Sequence, residues 1–381
     1  MSNFKSLENL KSSYKERIRQ VSDEKKSGKK SVGTFCLFVP DEIIFAADAD
    51  RMILCGGKND TISIAEQYLP RNICPLVKSS FGSIVNDGSS GVKPCSQFSM
   101  VDMIVAENTC DSKKKMYELL DNYVPTYVID LPQRPDTSEA LEYFLSELEK
   151  FKGAMEQLTG NKITTERLKK EIISSNEVRK LLHRLYELRK KDPSPISGVD
   201  VLKILQKQYF LSPDMLKEHL RMLISEMENV EPEGSHSPRI MISGCPMPGG
   251  NTKVSEIIEN KGGVIVAEES CTGTRSFWDM VDEDKDPMLA LAERYIKIPC
   301  SCMSPNDRRI DNILELAREF KVDGVVYYTL QFCHGYNIEK HKVHQALKEA
   351  GIPMLAIETD YSDSDVEHIG LRVDAFMEMV A

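Results

Sequence analysis

Val325-Val326-Tyr327-Tyr328-Thr329-Leu330-Gln331-Phe332-Cys333-His334-Gly335-Tyr336-Asn337 reads as a strand that ends in a cysteine and passes into a helix. The same order of events occurs earlier. Met103-Ile104-Val105-Ala106 leads to Cys110, and Asp111-Ser112-Lys113-Lys114-Lys115-Met116-Tyr117-Glu118 follows as helix. Strands alternating with helices build a parallel sheet, and such sheets hold ligands beyond the carboxyl ends of their strands. Both cysteines therefore fall where an α/β fold places its sites.

Working outward, the chain repeats itself around further cysteines. Ala65-Glu66-Gln67-Tyr68 leads through Leu69-Pro70-Arg71-Asn72-Ile73 to Cys74, and Ala292-Glu293-Arg294-Tyr295 leads through Ile296-Lys297-Ile298-Pro299 to Cys300. Each copy is preceded by another strand-end cysteine, Cys55 in the first half and Cys271 in the second. Two similar halves of this kind would enclose a thiol-lined cleft. Several Cys thiolates are what an iron–sulfur cluster requires.

The expected fold is α/β, with two Rossmann-like (flavodoxin-like) parallel-sheet domains, a helical insert and an N-terminal helix. Residues 1–30 form an exposed amphipathic helix, with Phe4, Leu7, Leu10 and Tyr14 at helical spacing, and a basic connector from Lys25 to Lys30. Residues 31–137 carry the first α/β unit, with strands at Val32–Val39, Met52–Leu54, Asp102–Ala106 and Tyr127–Leu131. Residues 138–235 are a helical insert and linker, striped by Leu141, Phe144, Leu145, Leu148 and Phe151, and again by Leu181, Leu182, Leu185 and Leu188. It breaks at Pro193-Ser194-Pro195-Ile196-Ser197-Gly198, a turn or a loop over the site, and ends in the linker Glu231-Pro232-Glu233-Gly234-Ser235. Residues 236–381 carry the second unit, with strands at Ile240–Ser243, Val264–Glu268, Gly324–Thr329 and Pro353–Glu358. Helices run from Asp307 to Phe320, capped by Asn306 or Asp307, and from Ile338 to Ala350.

Bulk properties narrow the function. The 381 residues carry a net charge of -10, with no basic stripe interleaved with aromatics, so nucleic acid is not an expected partner. No apolar core marks a signal peptide near the start, and no apolar run reaches the ~18 residues of a membrane span. A cytoplasmic protein is expected, and there ten cysteines are not disulfides. The plain alternative for any one of them is a small buried hydrophobe.

The spacing excludes familiar motifs. No CxxC pair occurs, and Cys300-Ser301-Cys302 has no matching partner, so a zinc ribbon and a ferredoxin-type run are both absent. No Gly-x-Ser-x-Gly elbow appears. Gly56-Gly57-Lys58 and Gly249-Gly250-Asn251-Thr252-Lys253 lack P-loop spacing and read as turns, so any ATP is bound by another protein. Asp360-Tyr361-Ser362-Asp363-Ser364-Asp365 lacks the glycine and final glutamate of a calcium loop and reads as a polar strand end. Cys110, at a helix N-terminus beside three lysines, is expected to have a lowered pKa. His334 beside Cys333 is the candidate catalytic proton donor, with a packing or surface role as the alternative.

These residues resemble the superfamily of 2-hydroxyacyl-CoA dehydratases and benzoyl-CoA reductases. The resemblance rests on Gly33-Thr34-Phe35-Cys36, Val39-Pro40-Asp41-Glu42, and Leu69 to Ser80. It continues through Thr109-Cys110-Asp111, Glu269-Ser270-Cys271-Thr272-Gly273, Leu330-Gln331-Phe332-Cys333-His334 and Glu358-Thr359-Asp360-Tyr361-Ser362. It implies that Cys74, Cys110 and Cys333 hold one [4Fe–4S] cluster. The additional cysteines resemble a branch carrying a double cubane of [8Fe–9S] type, with Cys95, Cys271 and Cys300 assigned to its second unit and Cys36, Cys55, Cys245 and Cys302 as rivals. Ala47-Asp48-Ala49 departs from the family's Ala-Gly-Ala, in a turn expected near the site.

The resemblance further implies a homodimeric ATPase activator, itself carrying a [4Fe–4S] cluster, that donates single electrons. The leading reading is a homodimeric double-cubane reductase of a small molecule. The second is a single-cluster dehydratase subunit acting on a 2-hydroxyacyl-CoA thioester, paired with a different subunit. The third is a non-catalytic α/β scaffold.

Overall fold

Two strand-turn-helix series, separated by four helices, make up the chain. A computed structural model describes residues 4–230 and 237–381; the expected linker Glu231–Ser235 and Asn3, the expected helix start, lie outside the described residues. The first series comprises α1 (Lys5–Lys26), β1 (Ser31–Thr34), α2 (Asp41–Ala46), β2 (Asp50–Ile53), α3 (Ile62–Ala65), α4 (Pro75–Val85), β3 (Met103–Glu107), α5 (Asp111–Leu120) and β4 (Thr126–Ile129). The helices α6 (Ser138–Thr159), α7 (Thr165–Leu188), α8 (Gly198–Lys207) and α9 (Pro213–Glu228) follow. The second series comprises β5 (Arg239–Gly244), α10 (Lys253–Asn260), β6 (Val264–Glu269), α11 (Pro287–Tyr295), α12 (Asp307–Glu319), β7 (Gly324–Leu330), α13 (His334–Glu349), β8 (Met354–Thr359) and α14 (Val366–Val380).

Each series forms a four-stranded parallel sheet, in the orders β2-β1-β3-β4 and β6-β5-β7-β8. The expected α/β class with two Rossmann-like sheets is what the chain adopts. In both sheets the order reverses between the first and third strands, so the loops leaving them part and open a crevice. Strands β5 and β7 are buried along their whole length, as parallel strands covered by helices on both faces are.

One apolar core runs through both sheets: Phe35, Met52 and Leu54 of the first belong to the same buried cluster as Ile240, Ile242 and Tyr328 of the second. The halves also touch at their glycines. A β-carbon on Gly57 would stand 2.9 Å from the carbonyl oxygens of both Pro248 and Gly249, and one on Gly250 would stand 3.0 Å from Lys58. The two glycine pairs are thus the seam between the halves.

The apolar stripes behave as core. Phe144, Leu148 and Phe151 of α6 and Leu182, Leu185 and Leu188 of α7 are buried. Thr137 caps α6 by accepting from the Ala140 N–H at 3.1 Å, and Gly160 closes it with φ of 75°.

Four expectations change. The N-terminal helix is not merely exposed: Phe4, Leu10 and Val21 are buried, because α1 packs on α8 and α9. The basic stretch after it is anchored, with Lys25 Nζ donating to Asp102 at 2.8 Å and Lys29 Nζ to Asp50 at 3.0 Å. The break at residues 193–198 does not cover the site. Gly198 abuts Ile265 near the amino end of β6, and its N–H donates to Glu259 at 2.6 Å. Asn306 occupies the cap position of α12, but its side chain donates instead to the Cys300 carbonyl at 2.9 Å and to Glu339 at 2.5 Å.

Candidate functional site

Six strands end in cysteine. Cys36 follows β1, Cys55 follows β2 and Cys110 follows β3; Cys245, Cys271 and Cys333 follow β5, β6 and β7 in the same order. Because both sheets share one strand order, the pairing Cys55 with Cys271 and Cys110 with Cys333 is a property of the fold, and Cys36 with Cys245 completes it. Cys74 is the N-cap of α4, set by Pro75 at the first helical position. Cys300 and Cys302 lie in the turn after α11.

Nine of the ten cysteines line one cavity of about 500 Å³; the tenth, Cys95, does not. Cys95 sits in the loop before β3, with its thiol 3.8 Å from Gln97 Oε1 and near Tyr14. All ten are free thiols. Of the sequence-expected set, Cys74, Cys110, Cys333, Cys271 and Cys300 share the cavity with His334, which is the exposed first residue of α13.

The thiols fall into two groups. In one, Cys74, Cys333 and Cys245 lie close enough to perturb one another's thiols, and Cys110 lies within the field of Cys74. In the other, Cys36 lies beside Cys271 and Cys302 beside Cys300, and Cys271 lies within the field of Cys300. The neighbouring Cys302 thiol, with Arg275 and the Cys302 N–H, outweighs burial and brings the Cys300 thiol down to about 6. The neighbouring Cys36, helped by Arg275, lowers Cys271. Desolvation pushes Cys55 up to about 12.

Cys110 departs from its expectation. Its pKa is raised, because desolvation outweighs Lys113 and the helix-terminal N–H of that residue. The three lysines are engaged by carboxylates: Lys113 with Glu107, Lys114 with Asp111 at 2.7 Å, and Lys115 with Glu118. Asp48, with φ of 61°, explains why glycine suits that place, since only a few residue types tolerate a left-handed backbone. It lies at the end of α2 before β2 begins, away from the strand ends that carry the thiols.

A buried ionic frame backs the second thiol group. Arg275 Nε donates to Glu269 at 2.5 Å, Arg309 Nη2 reaches the other oxygen of Glu269 at 3.1 Å, and Arg275 also bonds the Tyr336 hydroxyl. The cavity is also lined by Arg51, Arg179, Arg294 and Tyr209, from β2, α7, α11 and the α8–α9 turn, and Tyr209 donates to the Cys271 carbonyl at 2.7 Å. Glu42, wholly buried, accepts from Arg179 at 2.6 Å and from Tyr295 at 2.7 Å, and so ties α2 to α7 and α11. Sequence reasoning missed these residues. The signal was a charge inside an apolar stripe: Asn176, Arg179, Leu182 and Tyr186 share one buried face of α7.

The donor set suits an iron–sulfur cluster. Among the described residues, no three His, Cys, Asp or Glu side chains converge as ligands of one metal ion. Cubane thiolates bind different irons and so stand farther apart than the ligands of a single ion. An orphaned hydroxyl agrees: Tyr361 Oη is buried without a partner, within the field of Cys74, Cys245 and Cys55. At the Asp360–Asp365 loop the reading as a polar turn fits, since Lys253 Nζ donates to Thr359, the Ser362 carbonyl and Asp365, each at 2.7 Å.

Comparison with known proteins agrees with this arrangement. The family model described as 2-hydroxyglutaryl-CoA dehydratase, D-component, matches residues 36–380. YjiM of Escherichia coli strain K12, provisionally named a dehydratase subunit, is 39% identical over 94% of each chain. The (R)-phenyllactyl-CoA dehydratase beta subunit of Clostridium sporogenes is 26% identical over 92% of each chain. One of the benzoyl-CoA reductase subunits of Thauera aromatica is 23% identical over 92% of this chain and 91% of its own. With two parallel sheets whose strand ends converge on shared thiols, the chain belongs to the 2-hydroxyglutaryl-CoA dehydratase D-component family.

Proposed function

We propose that this chain is the iron–sulfur component of a low-potential reductase, with a double-cubane [8Fe–9S]-type cluster in the thiol-lined cavity. A separate ATP-hydrolysing activator, itself a homodimer with a [4Fe–4S] cluster, supplies the electrons, and the chain acts as a homodimer on a small molecule. The observation that carries this reading is nine unbridged thiols on one cavity, more than a single cubane uses.

Cys74, Cys110 and Cys333 would hold one unit. Cys271 and Cys300 would hold the other, and Cys36 takes the third place ahead of Cys95, because it lies beside Cys271 inside the cavity. Cys302 stays a thiol beside Cys300 in this reading. The bound cluster supplies electrons singly at low potential. The protein's residues do the rest. Arg275 and Lys113 place positive charge beside Cys271 and Cys300 and favour their thiolates. Phe35, Leu37 and Leu330 exclude water, which strengthens those fields. His334 at the cavity wall delivers the proton that accompanies reduction.

Iron and acid-labile sulfide, counted after anaerobic purification, test the reading: about eight irons per chain are expected on cubane stoichiometry. The names of the relatives favour a second reading, a dehydratase subunit with one [4Fe–4S] cluster acting on a 2-hydroxyacyl-CoA thioester beside a different subunit. About four irons would select it. Near zero in reconstituted protein, with no spectral change under dithionite, overturns both and leaves the scaffold.

A further inference from the structure

Beyond the thiols the cavity enters an arm where three guanidiniums meet two carboxylates. Arg51 pairs with Asp41, and Arg179 with Glu42 at 2.6 Å. Arg294 donates only to carbonyls, those of Ser276 at 2.7 Å and Asp279 at 3.3 Å; among the described residues no carboxylate pairs with it. All three arginines line the cavity and are at most 9% exposed. A buried charge without a counter-charge is costly.

Burial, reinforced by Arg179, lowers Arg294 below an ordinary arginine, against the opposing fields of Tyr295, Glu42 and Asp279. Burial also pushes the Asp41 carboxyl up in spite of Arg51.

Hydrogen bonds join the two arginines. Arg51 Nε–H is sealed from solvent without a partner, and the rest of its guanidinium is held by Asp41 and by the Gln208 carbonyl at 3.0 Å. Gln208 donates to Ser276 Oγ at 3.4 Å, and the Ser276 carbonyl accepts from Arg294, so one chain of hydrogen bonds joins Arg51 to Arg294. The walls beside them, Phe45, Leu182, Leu216 and Phe277, are apolar.

We propose that this arm binds the carboxylate of a small organic monoanion at Arg51 and Arg294, with its carbon skeleton along the apolar wall toward the thiols. The substrate is then a free acid. This rests on the cavity being the reaction site. One excess positive charge calls for a monoanion, whereas a phosphate dianion would overshoot it. The apolar wall suits a short carbon chain.

The test is calorimetric titration of the full-length, anaerobically purified protein with butanoate and (R)-lactate, each against its neutral amide, and with inorganic phosphate and butanoyl-CoA. The acids are expected to bind at least tenfold more tightly than their amides. Arg294→Gln is expected to weaken acid binding at least tenfold, and Asp41→Asn, which adds to the excess charge, to strengthen it. The proposal is overturned if amides bind as well as acids, if phosphate or butanoyl-CoA binds in preference, or if Asp41→Asn does not tighten binding. The acid–amide comparison on the unaltered protein needs no variant, so it stands even if Arg294→Gln fails to fold. Iron is counted in every sample. A low count with intact acid binding tells against the cluster reading alone, and a full count without acid binding tells against this proposal alone.

Discussion

Cys74, at the head of α4 in the first half, lies beside Cys333, at the end of β7 in the second, and each perturbs the other's thiol. The two sulfurs meet because both sheets present the carboxyl ends of their strands to one crevice. Removing either should therefore affect a site that neither half owns. Cys333→Ala is expected to lose one cubane's iron, and Cys271→Ala the other's, so each variant keeps about half of the full count. Cys95→Ala should keep all of it, because Cys95 lies off the cavity. Iron analysis of the three variants checks this.

The lone hydroxyl of Tyr361 makes a different prediction. Hydrogen bonds to cluster sulfur raise reduction potential by stabilising the more negative, reduced state. Tyr361→Phe should leave iron content unchanged and shift the potential downward, by ~59 mV for each tenfold change in the one-electron equilibrium. A spectroscopic redox titration reads the shift, and an unchanged potential would remove Tyr361 from the cluster's surroundings.

Glu42 predicts acid sensitivity. Burial alone would push its carboxyl up, but Arg179, Arg294 and the Tyr295 hydroxyl outweigh it and hold the pKa below the ordinary carboxylate value. A depressed carboxylate contributes stability that is fully present above its unfolded pKa of about 4.3 and is lost as pH falls through the folded value. Thermal unfolding from pH 7 to pH 3 should show that loss. In Glu42→Gln, the stranded Arg179 should cost about 3–5 kcal/mol at neutral pH and flatten the acid limb.

Asp48 offers a gain. Its left-handed backbone strains any residue with a β-carbon, and glycine relieves the strain at some cost in unfolded-chain entropy. Asp48→Gly should stabilise the protein by roughly 0.5 kcal/mol in denaturant unfolding, with iron content unchanged.

Much of this was legible in the sequence for a local reason. Strand existence follows from short apolar runs, and all eight expected strands form within a few residues of their expected bounds, although the first is shorter than the run from Val32 to Val39 suggests. The cysteines at β3 and β7 were placed correctly because a strand end fixes the residues just beyond it. Cys95 was assigned by resemblance alone, in a loop where no periodicity constrains position. The Cys110 pKa went the other way because a lysine's sequence neighbours do not reveal its partner. Lys113 turns to Glu107, at the end of the preceding strand. The arginine arm was hidden for the same reason: Arg179 looks like an ordinary helix residue until Glu42, far away in sequence, is brought beneath it.

The contact of Gly57 with Pro248 and Gly249 sets how near the halves approach. A cofactor bridging both halves tolerates only a narrow span between its anchoring sulfurs, so the gauge of the site resides partly in Gly57, which does not line the cavity. A methyl group at Gly57 would act as a spacer, leaving every thiol in place on its own strand while parting the two sets. If the proposed cluster is bound there, the capacity to assemble it is encoded twice, once by the cysteines that would grip it and once by the bare backbone that lets them come within reach.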